Sequence, residues 1–256
     1  MQPRIERIKA CLNGGRDRDE HPAVPITPDE LAAEAAASVA AGAEALHLHP
    51  RDRAGAQSLH PDDVAAAVAA VRRACPGVPV GVTTGLWISD GDAGRRLATV
   101  VGWADLPPAA RPDFASVNVG EEGFRDLVEA LHRAGIGVEA GVWSTADARK
   151  LAAAGPFAWT RILVEIIGAA AGTAVAEADA ILAELDECGV TGPRLLHGEE
   201  AACWPLVAHA GRRGLPTRIG LEDTVVGPAG EPVGGNADLV RQALAAWTAR
   251  DATGRA

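Results

Sequence analysis

Short β-prone runs alternate with longer Ala/Leu-rich amphipathic stretches along this whole 256-residue chain, and few folds accept such an order. Strands are expected near 5–12, 44–49, 78–84, 113–119, 136–140, 161–166, 194–198 and 216–221. Helices are expected near 28–41, 61–74, 91–103, 122–134, 144–154, 173–188, 199–213 and 236–249. A βα unit repeated eight times favours an α/β fold of the (β/α)8 TIM-barrel type. An open doubly wound sheet would call for GxGxxG after the first strand, and Gly14-Gly15-Arg16 does not supply it. With no Pro-, Gly- or Ser-rich linker to divide the chain, residues 1–256 read as a single barrel domain. Thr27, Pro28 and Glu30 form a capping box at the start of the first helix, and Asn236 is placed to cap the last.

Charge and cysteine usage narrow the function. Twenty-four basic against thirty-four acidic residues give a formal net charge of −10 without a basic patch, which argues against nucleic acid as a partner. Cys11, Cys75, Cys188 and Cys203 show no metal-like spacing, as expected of reduced thiols in the cytoplasm. The N-terminus lacks a signal-peptide pattern, and no apolar run reaches the roughly 18 residues of a membrane span.

His47 and His49 carry the strongest chemical signal. Alternate side chains of a strand share a face, so both point the same way, at the C-terminal end of strand two where barrel active sites are built. Two neutral imidazoles at ligand spacing suit a divalent metal better than a structural role. A third ligand is expected at the same end, and Glu222, read as ending strand eight, shares an even-strand layer with them. His, His and Glu match a catalytic zinc site with one position open for substrate or water. Arg218 has the strand parity of Glu222, and Asp223 the opposite parity; they form either a structural ion pair or a base held beside the metal by a cation. Thr83-Thr84-Gly85 offers hydroxyls and a close backbone approach to a ligand at the end of strand three, although turn chemistry accounts for it nearly as well. Asn118 and Glu121 at the end of strand four, and Glu139 at the end of strand five, are pocket or supporting candidates. His197 is a candidate at the mouth, Glu199 reads as a helix start, and Trp87 as a pocket wall.

Taken together, CLNGG at 11–15, GAEALHLHPRD at 42–52, VTTG at 82–85, SVNVG at 116–120 and RIGLED at 218–223 resemble the β-keto acid cleavage enzymes, the family that includes 3-keto-5-aminohexanoate cleavage enzyme. The resemblance runs from the first strand to the last helix. It implies a zinc-bearing barrel that condenses a β-keto acid with acetyl-CoA to give acetoacetate and a new acyl-CoA. It also implies His47, His49 and Glu222 as zinc ligands, Arg218 and Asp223 as the proton-abstracting dyad, Thr83 as a substrate contact, and a homotetramer. The Gly-rich run 227–236 before the last helix would then face a phosphate of CoA, or serve only as a loop. Where the aminohexanoate enzyme has a glutamate suited to an ammonium group, this chain has Arg16, which suits an anionic or polar tail, or is a solvated loop residue. A metal-dependent aldolase or hydrolase, and a non-catalytic ligand-binding barrel, are the alternatives on the same residues.

Overall fold

The computed structural model describes residues 5–155 and 157–249, so the ends of the expected 1–256 domain lie outside the described residues. Strands β1 (Ile8–Cys11), β2 (Ala45–Leu48), β3 (Val80–Thr83), β4 (Phe114–Asn118), β5 (Gly137–Val142), β6 (Arg161–Ile166), β7 (Arg194–Gly198) and β8 (Thr217–Ile219) pair in parallel in the order β7-β6-β5-β4-β3-β2-β1-β8. The Leu196 N–H donates to the Pro216 carbonyl at 3.0 Å across the remaining seam. The result is the expected (β/α)8 barrel, nearly closed, with helices α1 (Pro28–Ala40), α2 (Pro61–Ala74), α3 (Ala93–Val101), α4 (Phe124–Arg133), α5 (Thr145–Ala153), α6 (Ala174–Glu187), α7 (Cys203–Arg213) and α8 (Asn236–Thr248) following the strands. None of the described helices is long and apolar enough to cross a membrane.

Parallel strands buried on both faces read as apolar runs, and their outward residues pack with the helices into one core that includes Leu46, Val82, Val117, Ile162, Leu31 and Leu239. The inside of the barrel is different. At its lower end Ile5, Ala45, Phe114, Leu163 and Leu195 form a separate apolar plug. Above it Lys9 Nζ lies 2.6 Å from Glu139, Arg161 pairs with the same carboxylate, and both cations stand over the Phe114 ring at 5.8 and 5.3 Å. Glu139 is fully buried, yet Lys9 and Arg161 outweigh that burial and hold its carboxyl at about 2. The expectation that Glu139 ends strand five is therefore corrected. Strand β5 runs on to Val142, leaving Glu139 in mid-barrel on its two cations.

The capping box at Thr27 forms as expected, with Thr27 Oγ1 accepting from the Glu30 N–H and Glu30 accepting from the Thr27 N–H. Asn236 does not cap α8; Gly235 holds that position, and Asn236 is the first helical residue. Its buried side chain instead accepts from the Leu221 N–H at 2.8 Å and donates to the Leu12 carbonyl at 3.0 Å, tying the end of β1 to the turn after β8. Glu34 from α1 accepts from the Asn236 amide groups, so the start of α8 is met by a carboxylate of the chain itself.

Candidate active site

The turn after β8 creates the site. Strand β8 ends at Ile219, and Gly220 then passes so near β1 that a Cβ there would sit 1.8 Å from the Cys11 carbonyl oxygen. The chain then folds back, with the Asp223 and Thr224 N–H groups donating to the Gly220 carbonyl at 2.9 and 3.1 Å. Glu222 thus lies in a turn and does not end the strand, so strand parity accounts for Arg218 but not for Glu222 or Asp223. Gly14, at φ +56°, supplies the other wall; a Cβ on it would meet Glu222 Cγ at 2.5 Å.

His47, His49 and Glu222 converge there, with one ligand atom from each lying within 4.8 Å of the others. His47 Nε2 is 3.7 Å from Glu222 Oε2, and His49 Nε2 is 3.6 Å from Glu222 Oε1. Burial drives the His47 imidazole down to about 3, so it stays neutral. Against the cost of burial, the Arg218 guanidinium holds the Glu222 carboxyl well below its usual range. Buried Glu222 Oε2 has no hydrogen-bond partner. His49 is oriented from two sides: the Asn13 amide brackets its backbone N–H and carbonyl, each at 2.9 Å, and its Nδ1 lies 2.6 Å from Gln57 Oε1. An amide oxygen can only accept, so Nδ1 donates to Gln57, and Nε2 is the ring nitrogen on the Glu222 side. Two imidazoles, that of His47 held neutral, and a charged carboxylate with an orphaned oxygen fit a divalent cation. Trp87, about half exposed, stacks on His49 with centroids 6.4 Å apart and walls the site as expected.

Beside the triad, Arg218 Nε donates to Asp223 Oδ1 at 2.8 Å, so the expected pair forms within the barrel mouth. Its Nη2 lies 3.1 Å from Glu222 Oε1 and 3.3 Å from Glu199 Oε1, and its Nη1 3.9 Å from Glu165 Oε2. Four carboxylates therefore face one guanidinium. Burial, reinforced by Glu222 and Glu199 against the pull of Arg218, pushes the Asp223 carboxyl up, and its buried Oδ2 has no partner. Below, His197 Nε2 sits 3.1 Å from Glu165 Oε2, and its Nδ1 3.7 Å from Asp223 Oδ1. Burial and Arg218 lower the His197 imidazole to about 4, so His197 is a neutral floor beneath the dyad.

The other candidates separate by what they already bond. Thr83 is buried, and its Oγ1 accepts from the Gly85 N–H at 3.1 Å. Thr84 donates to the Ser116 carbonyl at 2.6 Å and is taken up by the framework. Gly85 leaves room for the Trp87 ring, which a Cβ would meet at 2.3 Å. Asn118 donates to Glu121 at 2.9 Å, and Glu121 accepts from the Leu86 N–H and pairs with Arg96, so the two brace the Gly85–Leu86 turn. Arg16 spans Glu20, at 2.7 Å, and Glu200. Glu199 does start a helix, as the N-cap of a 3-10 turn (Glu200–Ala202) ahead of α7, but its side chain makes no capping bond and meets Arg218 instead. Glu165, Asn13 and Gln57 were not singled out from sequence. For Glu165 a signal exists: in RILVEI it shares parity with Arg161 inside an otherwise apolar strand.

A family model described as beta-keto acid cleavage enzyme matches residues 7–253. A 3-keto-5-aminohexanoate cleavage enzyme from Fusobacterium nucleatum is 31% identical over 122 residues, 46% of this chain and 40% of that protein. A 3-oxoadipate:acetyl-CoA acetyltransferase from Cupriavidus necator is 35% identical over 123 residues, 48% of this chain and 39% of that protein. The matched segments thus span about two fifths of those relatives' own length. Among solved structures, apo ObcA superposes with a TM-score of 0.67 at 18% identity, covering 86% of this chain and 61% of that one, a likeness of fold. With the family model matched from the first strand to the last helix, this chain belongs to the β-keto acid cleavage enzyme family.

Proposed function

We propose that this single-barrel protein is a zinc-dependent acyltransferase that condenses a β-keto acid with acetyl-CoA and releases acetoacetate and a new acyl-CoA. The observation that carries the reading is the turn after β8, where adjacent residues supply a metal-ligating carboxylate, Glu222, and a carboxylate base, Asp223, on one guanidinium. The Cupriavidus necator relative is named for 3-oxoadipate and acetyl-CoA together, which supports the same co-substrate here.

His47, His49 and Glu222 would hold the zinc, which supplies Lewis acidity toward a carbonyl oxygen. Asp223, steadied by Arg218, takes the proton from the carbon between the keto group and the carboxylate. That carbon attacks the acetyl thioester carbonyl, and CoA leaves as the thiolate. The thiolate then attacks the original keto carbon, the bond from that carbon to the central carbon breaks, and the electron pair passes to acetoacetate, which recovers the proton from Asp223. Thr83, Thr84, Gly85 and Asn118 border the substrate side, Asn118 through Glu121. Glu139, committed to Lys9 and Arg161, underlies the site without reaching its mouth. Both terminal nitrogens of Arg16 already bond carboxylates, so of anionic and polar tails the polar one fits better. Family resemblance adds a cytoplasmic homotetramer, which sedimentation would test.

The deciding experiment measures acetoacetate formed by zinc-loaded protein from a panel of β-keto acids with cationic, neutral and anionic tails, with and without acetyl-CoA. Acetoacetate that appears only with acetyl-CoA is the expected result. Cleavage without acetyl-CoA would instead indicate an aldolase or hydrolase, and tight binding without turnover a ligand-binding barrel. Repeating the panel with Arg16→Glu tests the tail: unchanged preference removes Arg16 from substrate recognition.

A further inference from the structure

We propose that Glu199 is the group through which a proton on Asp223 exchanges with bulk water. The inference rests on the reading of Arg218 and Asp223 as the pair that removes the substrate proton. Asp223 is fully buried, with its side chain sealed from solvent. Of the four carboxylates on Arg218, the side chains of Asp223, Glu165 and Glu222 are 0%, 6% and 10% exposed, whereas that of Glu199 is 31% exposed. Glu199 and Asp223 accept from neighbouring donors of the same guanidinium, Nη2 and Nε. Glu199 is therefore the most exposed of the carboxylates that share this guanidinium with Asp223.

The backbone holds Glu199 in that role at the expense of local comfort. Glu200 has φ +49°, in the left-handed region that residues with a Cβ seldom adopt. The conformation is clamped: the Glu200 N–H donates to the Asp223 carbonyl at 2.7 Å, the Glu199 N–H to the Ile166 carbonyl at 3.1 Å, and the Glu200 side chain pairs with Arg16. This ties the β7 loop to the β8 turn, and the Glu199 side chain, at the N-cap of the 3-10 turn that follows, bonds Arg218 instead of a free N–H. The charged groups around Glu199 are Arg218, Glu222, Glu165 and Arg16. Burial, with the two acidic neighbours, pushes its carboxyl up to about 7 against the two arginines, so both of its protonation states are accessible near neutrality. In the exchange step the O–H bond of Asp223 breaks as one forms on Glu199, and Glu199 then yields its proton to water. The reverse sequence brings a solvent proton in.

The test uses acetoacetate as the probe, because it is the common product whatever the natural keto acid. Zinc-loaded protein in deuterium oxide is given acetoacetate without acetyl-CoA, and deuterium entering the carbon next to the carboxylate is followed by NMR and corrected for the protein-free rate. In parallel, turnover is read as label passing from carbon-13 acetyl-CoA into acetoacetate, a degenerate exchange that needs no other substrate. With Glu199→Gln, deuterium exchange should fall at least tenfold more than label transfer, and Glu199→Asp should recover part of the difference. Exchange and transfer that fall together in Glu199→Gln would overturn the inference, since a merely structural residue lowers both. Wild-type protein that transfers label but shows no exchange would do the same. If wild type shows neither, the dyad reading itself has failed.

Discussion

The two halves of the barrel interior are built from the same residue types to opposite ends. In the lower half, Glu139 is matched by Lys9 and Arg161 over an apolar plug, and the carboxylate is satisfied at both oxygens. In the upper half, four carboxylates share Arg218, and buried Glu222 Oε2 and Asp223 Oδ2 have no partner. Buried polar groups in native proteins are nearly always satisfied, so two orphaned oxygens on adjacent residues at the barrel mouth suit a ligand. The lower cluster closes on itself; the upper one leaves two carboxylate oxygens open.

Breaking the upper cluster should give the largest effects. Glu222→Ala removes the carboxylate of the triad, and elemental analysis should show loss of stoichiometric metal together with loss of turnover; wild type that binds no stoichiometric metal would sink the metal reading. Asp223→Asn keeps the shape but removes the base, and kcat should fall by about 10²–10⁴-fold while metal content holds. A variant that retains near-normal kcat would remove Asp223 as the base.

The lower cluster should respond in stability. Glu139→Gln leaves Lys9 and Arg161 facing a neutral amide and should destabilise the fold by roughly 3 kcal/mol in denaturant titrations. Because the native Glu139 carboxyl is held at about 2, below its ordinary 4.5, the unfolded chain binds more protons between those values. Its contribution is complete above about 4.5 and lost as pH falls through that window, so wild-type and Glu139→Gln stabilities should converge on acidification. Parallel curves would show that Glu139 does not depend on its charge. The smallest effect sharpens the contrast from the rim: Gln57→Ala frees His49 Nδ1 and should weaken metal binding by about 10–100-fold in competition with a chelator, with thermal stability little changed.

Much of the upper cluster was legible beforehand, for a local reason. His47 and His49 face one way because extended backbone alternates its side chains, and Arg218 follows the same rule on β8. Glu139 misled because its strand continues two residues further than the expected 140, which moves it from the end to the middle. Glu199 does stand at a helix start, but its side chain bonds Arg218 rather than the helix, a contact its place in the sequence does not reveal. Asn236 misled in the same way: a residue type suited to capping is spent on fastening β1 to the β8 turn.

The amino-acid order alone determined the eightfold βα alternation, the capping box at Thr27 and the shared face of the two histidines. Each depends on neighbours a few residues away, through backbone geometry that any chain obeys. Tertiary structure decided which carboxylate lies within reach of those histidines, that Glu199 and Glu165 join Asp223 on Arg218, and that Lys9 and Arg161 neutralise Glu139. Those contacts exist only in the assembled barrel, which brings residues as far apart as Lys9 and Glu139 into a space where burial makes every unmatched charge expensive.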